Sequence, residues 1–104
     1  MIKHVTDANF KKATDHGVTL VDFWATWCSP CLMQAPILEQ LDQEMGDQVN
    51  FTKLDVDKNQ VTATEFEVMS IPTLIIKKDG KVVERLIGLR PKALLKQKLQ
   101  QYLK

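Results

Sequence analysis

The stretch FWATWCSPC, Phe23 to Cys31, carries both cysteines and both tryptophans of a 104-residue chain. Two cysteines with two residues between them have three chemical readings. They can form half of a metal site, a structural crosslink, or a dithiol that cycles with its own disulfide. A tetrahedral metal site needs four ligands. Cys28 and Cys31 supply two, and the two histidines, His4 and His16, lack finger-like spacing. A metal would then require two chains contributing one cysteine pair each. A crosslink over so few residues closes a tiny loop and constrains the unfolded chain little. The redox reading is the strongest of the three, and the elements around the pair decide how strong.

VTLVDFWA, Val18 to Ala25, is a nearly continuous apolar, β-branched and aromatic run. Such runs suit a strand buried on both faces of a sheet. Pro30 suits the first turn of a helix. Ala35, Leu38, Leu41 and Met45 follow at helical spacing, with Gly46 as the stop and Pro36 as an internal kink. The cysteines therefore fall between the end of a buried strand and the start of a helix. A helix N-terminus presents free N–H groups and the positive end of its dipole. Both favour a thiolate at Cys28, and the thiolate is the nucleophile in disulfide exchange. Cys31, one turn into the helix, is close enough to close a ring. In open α/β sheets ligands bind beyond the carboxyl ends of the strands, where this pair lies.

The elements that must position the pair alternate along the chain. Ile2 to Val5 reads as a short strand. A helix capped by Thr6 or Asp7 runs to about His16 and stops at Gly17. VNFTKLDVD, Val49 to Asp57, reads as a strand, and residues 59 to 67 as a short helix. TLIIKK and KVVERLI, joined by Asp79-Gly80, form a hairpin. Pro91 opens a last helix with Leu95, Leu99 and Tyr102 on one face. The order β-α-β-α-β-α-β-β-α predicts an α/β fold. Its central sheet is mixed and five-stranded, parallel early and antiparallel at the hairpin edge, with four helices on its two faces.

Length predicts one domain over residues 1–104. Apolar residues at 44% are enough for a core, and charged residues at 26% suit a solvated surface. A formal charge of +1 gives no reason to expect a nucleic acid or an anionic membrane as partner. The start, MIKHVTDANF, does not read as a secretory signal, and no apolar run is long enough for a membrane span. A soluble cytoplasmic protein is expected. A cysteine pair in that reducing compartment is more often redox-active or metal-binding than a permanent bridge.

Across its whole length the chain resembles the thioredoxin family. The likeness rests on VDFWATWCSPC, Pro36, KLDVD at 53–57, SIPTL at 70–74, the Asp79-Gly80 hairpin and IGL at 87–89. The resemblance implies a thioredoxin fold and reduction of protein disulfides. It implies that Cys28 attacks, that Cys31 resolves, and that the two form a redox-active disulfide. Pro72 matches the family's cis-proline facing the cysteines. Trp27, Ser29, Pro30, Ser70, Ile71 and Gly88 match positions lining the substrate groove, with the Ile71 backbone pairing with an extended substrate segment. The resemblance also implies electrons from NADPH through a flavoprotein thioredoxin reductase, with no cofactor bound to this chain. The chain has no dinucleotide fingerprint of its own. A monomer without a metal is expected.

The chain departs from the family pattern at Ser29, where glycine is usual, and at Leu32, where a basic residue is usual. A Ser29 hydroxyl that donates to the Cys28 sulfur or caps the helix would stabilise the reduced form and make the couple more oxidising. Leu32 removes a positive charge near the thiols. These two residues keep open a rival reading, a relative with a dedicated partner or an oxidising role. A further rival is a binding module in which the thiols are incidental. Lys77, where an apolar residue is commoner, is expected on an exposed strand face.

Asp22 interrupts the buried run, and an ionised carboxylate there is costly unless paired. Burial should raise its pKa. Its functional reading is a general base that takes the Cys31 proton; its bland reading is a hydrogen-bonded structural residue. The resemblance favours the first and supplies Lys53 as its neighbour. Trp24 is expected as packing beneath the site, its indole donating to Asp57 as in the family. Trp27 is expected as a partly exposed platform. His4 and His16 are expected at the surface and the methionines in the core, with Met69 as a candidate substrate contact. The lysines at 92, 96, 98 and 104 are expected on a solvated face.

Overall fold

The computed structural model describes residues 2–104 and has nine elements. They are β1 (Lys3–His4), α1 (Phe10–Ala13), β2 (Val18–Trp24), α2 (Ser29–Met45), β3 (Val49–Asp55), α3 (Gln60–Glu65), β4 (Thr73–Lys78), β5 (Lys81–Ile87) and α4 (Lys92–Tyr102). The strands form one sheet in the order β1-β3-β2-β4-β5. β1, β3 and β2 run parallel, β4 is antiparallel to β2, and β5 is antiparallel to β4. The expected α/β architecture, mixed sheet and element order are all present.

The central strand β2 is buried along nearly its whole length because helices cover both sheet faces. Alternation along β2 divides its side chains between two cores. Val18 and Leu20 join Leu38, Leu41 and Met45 of α2 and Leu95 and Leu99 of α4. Val21 and Phe23 join Phe10 of α1, with Phe66 just beyond α3 packed against them. Each fully buried leucine or phenylalanine contributes roughly 2 kcal/mol. The same alternation puts Asp22 on the Leu20 face, which is the α2 face. Lys53, two residues from Phe51 in that same core, lies beside Asp22 in register.

The hairpin turns through Asp79 and Gly80, both at positive φ (50° and 86°), as a tight two-residue turn requires. Asp79 is also tied to Gly17. Its N–H donates to the Gly17 carbonyl at 2.9 Å, and its carboxylate accepts the Gly17 N–H at 2.8 Å.

Three local expectations are corrected. The first helix spans only Phe10–Ala13, and neither Thr6 nor Asp7 caps it. The Asp7 carboxylate instead accepts the N–H groups of Thr62 (2.8 Å) and Val61 (3.3 Å), so it caps α3 across the fold. The methionines do not all fill the core. Met45 is buried, but Met33 and Met69 are exposed, Met69 at 92%; Met1 lies outside the described residues.

The third correction is Lys77, which is only 4% exposed rather than on an open strand face. It follows Ile75 onto the Phe10 side of β4, where a register shift between Ile76 and Lys77 interrupts the ladder. Its ammonium donates to Thr14 Oγ1 at 2.7 Å and lies 4.9 Å from the Phe10 ring centre. Burial holds its pKa below the ordinary 10.5. A buried cation held by a hydroxyl and aromatic faces is only partly compensated for lost hydration. Lys77→Met keeps most of the volume and removes the charge. It is expected to stabilise the protein by roughly 1 kcal/mol at pH 7, read by urea unfolding. Because the folded-state pKa is depressed, the parent gains stability as pH rises towards 10.5, so the advantage of Lys77→Met should shrink there. A loss of stability in Lys77→Met would mean that the Thr14 bond and the ring contacts outweigh desolvation.

Candidate active site

The central strand β2 delivers the chain to Cys28 just beyond its carboxyl end, and α2 begins at Ser29. Cys28, with extended backbone angles, is the N-cap of α2. Its sulfur accepts the backbone N–H of Cys31 at 3.3 Å, doing with Sγ what a serine or aspartate oxygen does at other helix starts. Ser29 is therefore the first helical residue and not the cap. Cys28 and Cys31 are joined as a disulfide, with Cα atoms 5.2 Å apart. Both are buried and pack with Ala25 against Trp24, Val56 and Ile71.

The loop before β4 lies against the cysteine pair. The Ile71–Pro72 bond is cis, matching the family's cis-proline position, and the Ile71 carbonyl oxygen lies 3.7 Å from Cys28 Sγ. Pro72 is buried, Ile71 half-buried and Ser70 exposed. The segment after β5 is bonded to that loop. Gly88 takes φ of 91°, a region open to glycine, and its N–H donates to the Pro72 carbonyl at 2.8 Å. The structure thus brings Cys28, Cys31, Ile71, Pro72 and Gly88 together, with Ser29 and Pro30 exposed at the helix start.

Trp27 is 68% exposed. Its indole N–H donates to Asp57 Oδ2 at 2.7 Å, which fixes a large side chain that would otherwise swing freely. The expectation that Asp57 accepts from Trp24 is corrected: the partner is Trp27. Trp24 is half-buried, and its Nε1 finds no acceptor among the described residues. Its ring instead carries the Lys53 ammonium at 4.1 Å and an edge contact from His4. His4 and His16 are both exposed, as expected.

Asp22 is 1% exposed, and its Oδ1 has no hydrogen-bond partner among the described residues. Burial pushes its pKa up to about 7, with the Lys53 charge pulling the other way. Asp22 and Lys53 thus lie on the sheet face covered by α2, the helix that carries Cys31. Sequence reasoning missed Gln34. It is fully buried on the Cys31 side of α2, where a polar residue at i+3 from Cys31 and i−4 from Leu38 was the available signal. Among the described residues no cluster of three or more histidine, cysteine, aspartate or glutamate side chains could hold a metal. No described helix is long and apolar enough to cross a membrane.

A cysteine pair that closes to a disulfide at a helix N-terminus, with the Ile71 carbonyl 3.7 Å from Cys28 Sγ, defines the class as thiol–disulfide oxidoreductases. Comparison with known proteins identifies which kind. The family model for thioredoxin matches residues 1–101. The thioredoxin of Listeria monocytogenes is 53% identical over 102 residues, covering 98% of this chain and 99% of that one. The thioredoxin of Bacillus subtilis is also 53% identical, covering 98% of each. The crystal structure of Malassezia sympodialis thioredoxin superposes with a TM-score of 0.90 at 32% identity, covering 100% of this chain and 92% of the other. The chain belongs to the thioredoxin family, and its activity is the reduction of protein disulfides by dithiol exchange.

Proposed function

We propose that Cys28 is the attacking thiol and Cys31 the resolving thiol of a monomeric, cytoplasmic disulfide reductase. The observation that carries this order is the Cys31 N–H donating to Cys28 Sγ, which places Cys28 at the positive end of α2. The Cys28 thiolate attacks one sulfur of a substrate disulfide. A Cys28–substrate bond forms, and the other substrate sulfur leaves as a thiolate. Asp22 takes the Cys31 proton, and Lys53 tunes that carboxylate. Cys31 then attacks Cys28 Sγ. The second substrate thiolate leaves, and Cys28–Cys31 closes. Two electrons pass to the substrate.

An extended substrate segment pairs with the Ile71 backbone and lies over Trp27, Ser29, Pro30, Ser70, Pro72 and Gly88. NADPH restores the dithiol through a flavoprotein reductase, so the chain needs no cofactor of its own. With NADPH, a bacterial thioredoxin reductase and insulin, NADPH oxidation should require this chain. Insulin reduction with dithiothreitol but not with that reductase would overturn the proposed electron source and point to a dedicated donor.

A further inference from the structure

The three segments around the cysteine pair are far apart in sequence, and one buried side chain ties two of them together. Gln34 of α2 exchanges two hydrogen bonds with the backbone of Arg90. Its Nε2 donates to the Arg90 carbonyl at 3.1 Å, and its Oε1 accepts the Arg90 N–H at 2.8 Å. The residues are 56 positions apart. The Arg90 guanidinium also donates to the Ile87 carbonyl at 2.9 Å, closing the 87–90 segment on itself. Gly88 within that segment donates to the Pro72 carbonyl, and the neighbouring Ile71 carbonyl lies against Cys28. The circuit is closed. It runs from the cysteines along α2 to Gln34, across to Arg90, back through Gly88 to Pro72, and returns to Cys28.

An amide buried this completely is tolerated because both of its polar ends are satisfied. Removing it leaves the half-buried Arg90 N–H and C=O without their protein partners, and the segment shifts to recover them. The segment that shifts carries Gly88. The cysteines are held separately, by the start of α2 and its Sγ cap. Resting on the thioredoxin reading above, we infer that Gln34 is a positioning residue that sets the spacing between α2 and the Gly88 segment. It thereby governs docking of extended protein substrates without entering the thiol chemistry. Small disulfides, which need the two thiols but no contact along the groove, should not sense it.

The test compares Gln34→Met, which keeps the unbranched shape without hydrogen-bonding groups, with Gln34→Glu, which keeps an acceptor for the Arg90 N–H. Each is assayed on insulin and on dithiobis(nitrobenzoic acid). For Gln34→Met, KM for insulin should rise about five- to tenfold, the effect of losing one to two hydrogen bonds, with kcat little changed. The rate with the aryl disulfide and the reduction potential should hold. Gln34→Glu should fall between the parent and Gln34→Met, and it carries the test if Gln34→Met does not fold. An unchanged insulin KM in a folded variant overturns the inference and leaves Gln34 as a stabilising strut. Equal loss on both disulfides overturns it too, because the thiols themselves would then be displaced. The parent's own reduction of both disulfides tests the underlying reading separately.

Discussion

Cys28→Ser should lose disulfide reduction altogether, by about 10³-fold or more, while Cys31→Ser should stop half-way and accumulate protein–substrate mixed disulfides. The asymmetry follows from the helix. Cys28 Sγ sits outside the first turn of α2 and accepts the Cys31 N–H, so charge at that sulfur is stabilised by a hydrogen bond and by the dipole. Cys31 lies one turn into the helix, with its N–H already given to Cys28 Sγ, so it lacks the N-cap position that favours charge at Cys28. A serine at 28 retains the shape but remains a neutral hydroxyl at neutral pH, so no attack begins. A serine at 31 leaves the attacking thiolate intact and removes the group that releases the substrate. Non-reducing gels and intact mass after mixing with insulin distinguish the two. Mixed disulfides in Cys28→Ser, and none in Cys31→Ser, would reverse the assigned roles.

Most of the fold is legible because it is written in local patterns. β2, β4, β5 and α4 fall where apolar runs, the Asp79-Gly80 turn and Pro91 place them. The sequence reading fails where a residue answers to a distant partner. Asp7 looks like the cap of the helix that follows it, yet its carboxylate serves α3, 54 and 55 residues on. Lys77 reads as a surface residue because nothing near it in sequence shows Phe10 and Phe66 closing over it. The two tryptophans compete for one acceptor, and only the fold reveals that Asp57 meets Trp27. Within the site, the cysteines and the Ile71-Pro72 segment are visible from their motifs. The Gln34–Arg90 clamp is not, because its partner is backbone and backbone carries no sequence signal.

The Asp22 carboxylate should make the protein less stable as pH rises through the mildly acidic range, and Asp22→Asn should remove that dependence. In the folded protein its pKa is about 7, raised by burial, against an ordinary 3.8. Below pH 3.8 the group is protonated in both folded and unfolded states, and it contributes no pH dependence. Between 3.8 and about 7 the unfolded chain releases the proton while the folded protein keeps it, so unfolding gains on folding with every step up in pH. Above about 7 both states are ionised and the whole penalty is present. Three pH units at about 1.4 kcal/mol each set an upper bound of roughly 4 kcal/mol. Asp22→Asn should therefore exceed the parent in stability at pH 8 and lose most of that margin by pH 4, measured by urea unfolding of the oxidised protein. A margin independent of pH would show that Asp22 is ionised throughout or that packing alone sets the difference. The same substitution removes the base proposed for Cys31. Resolution of the mixed disulfide at pH 7 should then slow by about 10²-fold in stopped-flow reduction of insulin. A carboxylate with no partner on one oxygen is a poor element of a core. Its retention beneath the cysteine helix fits a group kept for a proton near neutral pH at a cost in stability, and a variant that became both more stable and equally fast would remove that explanation.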